Sequence, residues 1–472
     1  MNLISNFSCS NKGWRSHKDQ ADAGAFIVRS SFSRYTPGVM IPQVFVIKTK
    51  LFVWCSLLLP ALAVAQSAAS NSLTLTAAVQ RVRNNHPLIV AAKQRVVMFE
   101  GELFEAGLKP NPTFTVSGEN IPLDPPEGGF SFKRTMDYFA YFSQTFERGN
   151  KRELRRAAAE RAVELANVEA EAVERQLVYE VKVAYQHAAI ARERIELLRE
   201  NLNQLGQLVK LNEVRVQAGY TAEGDLIKAR LEAQRTDYSL RKAMIEYDRA
   251  KIALQKAMGD ATFEAEFDLA ERLDFRTVSL NAKALQDAAL RRSNIKTIEA
   301  RLEQARALLQ VQRANAKPDV TASFGYKRNG GDNALYGALS IPLPLYSKNQ
   351  GNIARAEAEV AMIESEMKFE RASVMAELTA ARRTVEANEQ QIEALRAEFL
   401  RNADESQQVS LAAYREGATD LLHLIDAQRT RTQAQELYFQ ALSDYQLAIH
   451  ELERAAGIEQ LPRREIVEGT KP

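Results

Sequence analysis

Between Asn352 and Glu416 the chain contains neither Gly nor Pro, the residues that most often interrupt a helix. Large apolar side chains recur along this stretch at Ile353, Val360, Met367, Val374, Leu378, Val385, Ile392 and Phe399. Every step is seven residues except the step of four from Val374 to Leu378. Seven-residue steps lay side chains along one narrow seam, as in a coiled coil. The step of four is a stutter that locally relaxes the supercoil. At 1.5 Å per residue such a helix reaches about 100 Å. A helix with so narrow a seam needs long partners.

The chain carries 62 Lys plus Arg against 60 Asp plus Glu, so charge gives no argument for nucleic acid. Its long apolar run, Leu51–Ala65, follows Lys48 and Lys50 and ends in Ala63-Val64-Ala65, the pattern of a secretory signal peptide. It is short for a membrane span and contains Pro60. Residues 40–65 are thus expected to be a leader, and 1–39 a patternless extension outside the fold. Both cysteines, Cys9 and Cys55, lie in this part. The remaining chain would hold no disulfide, thiolate metal site or Cys nucleophile. No later apolar run is long enough for a spanning helix, so entry into a membrane requires strands.

The rest divides into two repeats, 66–270 and 271–457, with 458–472 as a tail. Leu75–Gly107 reads as a helix. A β-hairpin over 111–146 follows, with Asn111–Ile121 and Asp137–Phe146 as its strands. Alternation in the second of these is blurred, because Tyr138, Phe139, Tyr141 and Phe142 fall on both faces. A long helix runs from Asn150 to Gln217, turns at Gly219, and returns to Met258. The order then recurs: a helix over Leu280–Lys317, a hairpin over 319–344 with its turn at Asn329–Asn333, the long helix, a tip at Gly417, and a return to Ala456. At an offset of 198, Gly219, Thr221, Leu226, Ile227 and Ala229 match Gly417, Thr419, Leu424, Ile425 and Ala427. Both return helices carry small residues every seventh position, Ala229 to Ala257 and Ala427 to Ala455, which permit close helix approach.

These parts make a mainly α chain with a small membrane β part: two repeats, four long-helix segments and four strands. Four strands of membrane-crossing length cannot close a barrel, so several copies must contribute. Spacing alone allows dimers, trimers or tetramers. A soluble sheet packed on the helices is the alternative for the strands.

The duplicated G-x-T…L-I-x-A tips and the junction Ser340-Ile341-Pro342-Leu343-Pro344-Leu345-Tyr346 resemble the TolC-like outer membrane efflux proteins over residues 66–460. The junction Glu147-Arg148-Gly149-Asn150-Lys151-Arg152 is similar to the E-x-G-G-K-R of the cobalt-zinc-cadmium (CzcC-like) branch, with Asn150 in place of the second Gly. The resemblance implies a homotrimer in the bacterial outer membrane lipid, a twelve-stranded barrel continued by a helical tunnel in the periplasm. It implies a passive exit duct for a tripartite resistance-nodulation-division pump, with a periplasmic adaptor and an inner-membrane pump as partners. Divalent heavy-metal cations are the cargo of that branch. It also implies adaptor docking at Ala218, Gly219, Tyr220, Glu416, Gly417 and Ala418. The family's periplasmic gate maps onto a bond between Tyr414 and Asp225, and onto Asp420, His423 and Asp426 facing the lumen. Thr419 stands where the best-known member has an Arg, and His423 where an acid is usual. Asp225 and Asp420 equally suit the first turn of a helix.

No Gly-rich phosphate loop, zinc-protease or nucleophile-elbow motif is present, so neither an enzyme nor a cofactor is expected. His86, His187 and His450 read as packing or surface residues, and no residues are assigned to a metal. An adaptor with one helical hairpin and a soluble coiled-coil scaffold are the competing functions. Two hairpins with two strand pairs disfavour the adaptor.

Overall fold

In the computed structural model, residues 72–121, 123–124, 127–129, 136–263, 267–330 and 332–462 are described. The expected extension and leader lie outside these residues, as do Gly331 of the second hairpin turn and the tail beyond 462. In order the elements are β1 (Ser72–Leu73), α1 (Leu75–Asn85), α2 (Pro87–Ala106), β2 (Thr113–Glu119), β3 (Asp137–Phe146), α3 (Lys151–Gln217), α4 (Glu223–Met258), β4 (Asp268–Leu269), α5 (Ala282–Ala289), α6 (Ser293–Asn315), β5 (Val320–Asn329), β6 (Asp332–Ser340), α7 (Gln350–Ala394), α8 (Leu400–Arg415) and α9 (Leu421–Ala456). A π-helical turn, Leu395–Phe399, joins α7 to α8. Among the described residues no helix is long and apolar enough to cross a membrane.

Two expected single helices are broken. Leu75–Gly107 divides at His86, whose backbone is extended because Pro87 follows it. Leu280–Lys317 divides at Leu290–Arg292. The breaks occupy matching places in the two repeats. Gly259, which ends α4, would bring a Cβ within 2.6 Å of the His86 ring. Gly457, which ends α9, would bring one within 3.2 Å of Arg292 Cβ. Each break thus receives the end of a return helix.

The seam of the long helix is real only in part. Val374, Leu378, Val385 and Ile392 are buried with Ala441, Tyr445, Ala448 and Leu452 of α9. Upstream, Ile363 is the fully buried residue, set among Leu302 and Ala305 of α6, with Val360 and Met367 half-buried beside it. The stutter therefore marks the level at which the helix changes partner from α6 to α9. Phe399, the last expected seam residue, is exposed, because the π turn rotates the helix there. The small-residue seams pack as expected: Ala229, Thr236 and Ala243 are buried on α4, and Ala427, Ala434, Ala441, Ala448 and Ala455 on α9.

The two hairpins form one antiparallel sheet in the order β2-β3-β5-β6. Register sorts its faces. Phe114, Phe142 and Phe324 lie in one cross-strand row, and Val116, Ala140, Tyr326 and Leu335 in the next. This face is apolar and largely exposed. The other carries hydroxyls, with Ser143 bonded to Ser323 (2.8 Å) and Thr145 to Thr321 (3.1 Å). The blurred aromatics of β3 separate cleanly. Tyr138 and Phe142 join the apolar face. Phe139 and Tyr141 lie on the polar face, where Tyr336 meets both, with centroids 6.0 and 5.0 Å away. An apolar outside and polar inside is the pattern of a membrane barrel wall. The edges β2 and β6 find no partner within the sheet of the described chain.

Candidate functional site

The site is built from the two helix tips and the turns that flank them. Gly219 and Gly417 sit at φ +78 and +76. At the first tip Tyr220 N–H donates to Arg215 O (2.8 Å) and Gly219 N–H to Val216 O (3.0 Å). At the second, Ala418 N–H donates to Ala413 O (2.8 Å) and Gly417 N–H to Tyr414 O (3.2 Å). These are matching Schellman caps, which require a left-handed residue. A Cβ at either glycine would meet nothing within 4 Å, so the requirement is purely conformational. Tyr220 stands out from the first tip, 84% exposed.

The expected bond between Tyr414 and Asp225 is not made within the chain. Tyr414 is buried, and its hydroxyl donates to Asn212 Oδ1 at 2.6 Å. Asn212, on α3, is fully buried and donates in turn to Leu208 O. Asp225 instead pairs with Lys228 one turn on, at 3.2 Å, on the surface. The reason is position. Asn212 faces the apolar cluster of Leu205, Leu208, Leu421, Leu424 and Ile425 in which Tyr414 packs, whereas Asp225 sits on the exposed first turn of α4. Asp420 caps α9, its Oδ1 accepting from His423 N–H at 2.9 Å. His423 and Asp426 are exposed on the next turn.

Two further residues, unread in the sequence, complete the arrangement. Arg215 lies over the Tyr414 ring at 4.8 Å and donates to Tyr414 O (3.1 Å) and Arg415 O (2.8 Å). It thereby satisfies two end carbonyls of α8 from the neighbouring hairpin. By sequence Arg215 looks like a cation suited to the last turn of its own helix, which hides the cross-hairpin role. Arg429 on α9 reaches across to Glu232 on α4 through both carboxylate oxygens. The hydrogen bonds from Arg429 hold the Glu232 carboxyl below its usual range. Tips one and two are thus tied at two levels. Among the described residues no three His, Cys, Asp or Glu side chains converge as a metal site.

At the outer end of the sheet, Glu119 pairs with Asp137 and Asn329 with Asp332, all on the polar face. Asp137 is buried and accepts from Gly330 N–H (2.6 Å) and Asn120 Nδ2 (2.5 Å). At the inner end, Asn150 and Asn349 open α3 and α7 in the left-handed conformation, φ 57 and 63. Asn tolerates this region, so Asn150 can stand where the resembled motif has Gly.

Residues 78–260 and 284–458 match the family described as outer membrane efflux protein. The chain belongs to that family. Among curated relatives, the cobalt-zinc-cadmium resistance protein CzcC of Cupriavidus metallidurans is 27% identical over 395 residues, 82% of this chain and 91% of its own. The pyoverdine export outer membrane protein OpmQ of Pseudomonas putida is 25% identical, over 76% of this chain and 80% of its own. Crystal structures of CusC, described in terms of transmembrane channel formation, superpose with a TM-score of 0.69 at 18% identity, covering 82% of this chain and 92% of that one. The outer membrane efflux proteins are export channels, not enzymes. This efflux protein therefore has its sheet in the outer membrane and its long helices in the periplasm.

Proposed function

We propose that the chain is the exit duct of a tripartite efflux pump, assembled as a trimer and gated at its helix tips. The observation that carries this is the open sheet: among the described residues it has four strands, one apolar face and two unpaired edges. Lipid tolerates no free strand edge, and four strands cannot close alone, whereas three copies close a twelve-stranded barrel. Ala218, Gly219 and Tyr220, with Glu416, Gly417 and Ala418, form the adaptor-docking tips. The Tyr414–Asn212 bond, backed by Arg215, holds the tips of one copy together. Asp225, Asp420, His423 and Asp426 form a polar entrance around it.

Divalent heavy-metal cations are the cargo this reading favours. The CzcC relative is named for cobalt, zinc and cadmium resistance, and the exposed Glu119 and Asp332 would give the outer mouth a ring of carboxylates that attracts cations. The pyoverdine export relative supports an organic cargo instead. A deletion strain challenged with cobalt, zinc, cadmium and a panel of organic compounds decides between them. Sensitivity to the metals alone is expected; sensitivity to organic compounds alone would overturn the metal assignment.

A further inference from the structure

The internal repeat contains two strand-to-helix junctions, and only one is completed within the chain. On leaving β3, the backbone passes the segment that feeds β5. There Arg148 N–H donates to Asp319 Oδ1 at 3.0 Å and Lys151 Nζ donates to the same oxygen at 2.8 Å. A Cβ at Gly149 would lie 2.5 Å from the Lys317 side chain, so the two segments are in close contact. Lys151 is buried. Burial acts to raise the Asp319 carboxyl, but the Lys151 and Arg148 hydrogen bonds outweigh it and hold it below its usual value.

The repeat supplies the counterpart of each group. The left-handed Asn150 and Asn349 align Lys151 with Gln350 and Arg148 with Ser347. The shared Lys-Pro before each hairpin aligns Lys317-Pro318-Asp319 with Lys109-Pro110-Asn111. The acid and the lysine of the first junction are therefore both replaced by neutral amides in the second, Asn111 and Gln350. Either replacement alone would leave a half-buried charge without its partner, which is costly; together they leave none. Within the chain these amides cannot meet, because β2 and β6 are opposite edges of the sheet. Both are exposed. Near them Phe104 and Leu108, and on the other edge Leu345 and Tyr346, also stand exposed, at 72%, 44%, 73% and 94%.

We propose that the edges close on a second copy of this chain, with Asn111 of one copy meeting Ser347 and Gln350 of the next. Asn111 Oδ1 takes the place of Asp319 Oδ1, accepting from Ser347 N–H and Gln350 Nε2. The exposed Phe104 and Leu108 then face Leu345 and Tyr346. This rests on the oligomeric reading above and specifies its seam. The ring of junctions alternates, ionic inside each copy and neutral between copies.

Paired cysteines test the seam. Asn111→Cys and Gln350→Cys are introduced together in a chain carrying Cys9→Ser and Cys55→Ser. Isolated outer membranes are oxidised and run on non-reducing denaturing gels, and the native mass of the same preparation in mild detergent is measured. A reducible ladder ending at the trimer is expected for the double variant and for neither single one. A trimeric native mass without the ladder would overturn the seam and leave the oligomer standing. A bond confined to single chains would overturn the seam too, and a monomeric native mass would overturn both. A second pair keeps the side chains polar. Asn111→Asp with Gln350→Lys should raise the temperature at which the oligomer dissociates in detergent above that of either single change. No gain over the singles would count against the contact.

Discussion

Tyr414 illustrates how a buried hydroxyl decides its own partner. Its pairing with Asn212 lies in an apolar cluster, so removing one side strands the other. Tyr414→Phe should cost about 1–3 kcal/mol, whereas Tyr414→Phe with Asn212→Leu should recover most of it. Hydrogen exchange at the tips reads the stability, and single-channel conductance in planar bilayers should rise for the Tyr414→Phe single change if the bond holds a gate. Glu453 is the corresponding buried group near the C-terminal end of α9. It accepts from Lys182 Nζ (2.7 Å) and Leu461 N–H (3.0 Å), and His450 Nδ1 lies 3.1 Å away. Burial acts to raise its carboxyl, but His450 and Lys182 outweigh that and hold it lowered. A lowered acid contributes stability above its unfolded value near pH 4.3, and that contribution is lost as pH falls through the folded value. Glu453→Gln should therefore cost about 3–5 kcal/mol near neutrality by removing the counter-charge of Lys182, which keeps its bond to Glu459 O (2.6 Å). The gap to the native protein should narrow below about pH 4 in thermal denaturation.

At the scale of elements, the glycines that end the helices divide into two kinds. Gly219 and Gly417 face open space, while Gly259 faces His86 and Pro87. Ala at either tip pays only for left-handed backbone, about 1–2 kcal/mol. Ala at 259 pays the same and must also displace the His86 ring, so a clearly larger fall in melting temperature is expected. Val at both tips should leave the oligomer assembled and abolish resistance, because a branched side chain resists positive φ where docking needs a fixed turn. Full resistance in that double variant would remove the docking role.

Among the described residues, α4 carries an exposed apolar stripe. Ile227, Leu231, Tyr238, Ile245 and Ile252 of α4 follow steps of four, seven, seven and seven, and all are about half exposed or more. The repeat-related face of α9 includes Ile425 and His450, and both are buried. Charged replacements at Tyr238 and Ile245 should therefore preserve helical circular dichroism and prevent assembly in detergent. Assembly unchanged by Tyr238→Glu with Ile245→Glu would mean that this stripe faces solvent.

Local pattern carried a great deal of this. The absence of Gly and Pro, the seven-residue steps and the duplicated tips state helix length, hairpin order and repeat, because they depend on neighbours within a few turns. The strands of 137–146 and the tips at Gly219 and Gly417 were legible for the same reason. What the sequence could not state was which groups meet across the repeat. The stutter says that the seam shifts, but not that α6 gives way to α9 there. Both faces of β3 are aromatic, and only cross-strand register sends Phe142 outward and Tyr141 inward. Asp225 and Asn212 are comparably close to the first tip in sequence. The burial of one helix face, decided by packing, gives the Tyr414 hydroxyl to Asn212 and leaves Asp225 to Lys228 on its own helix.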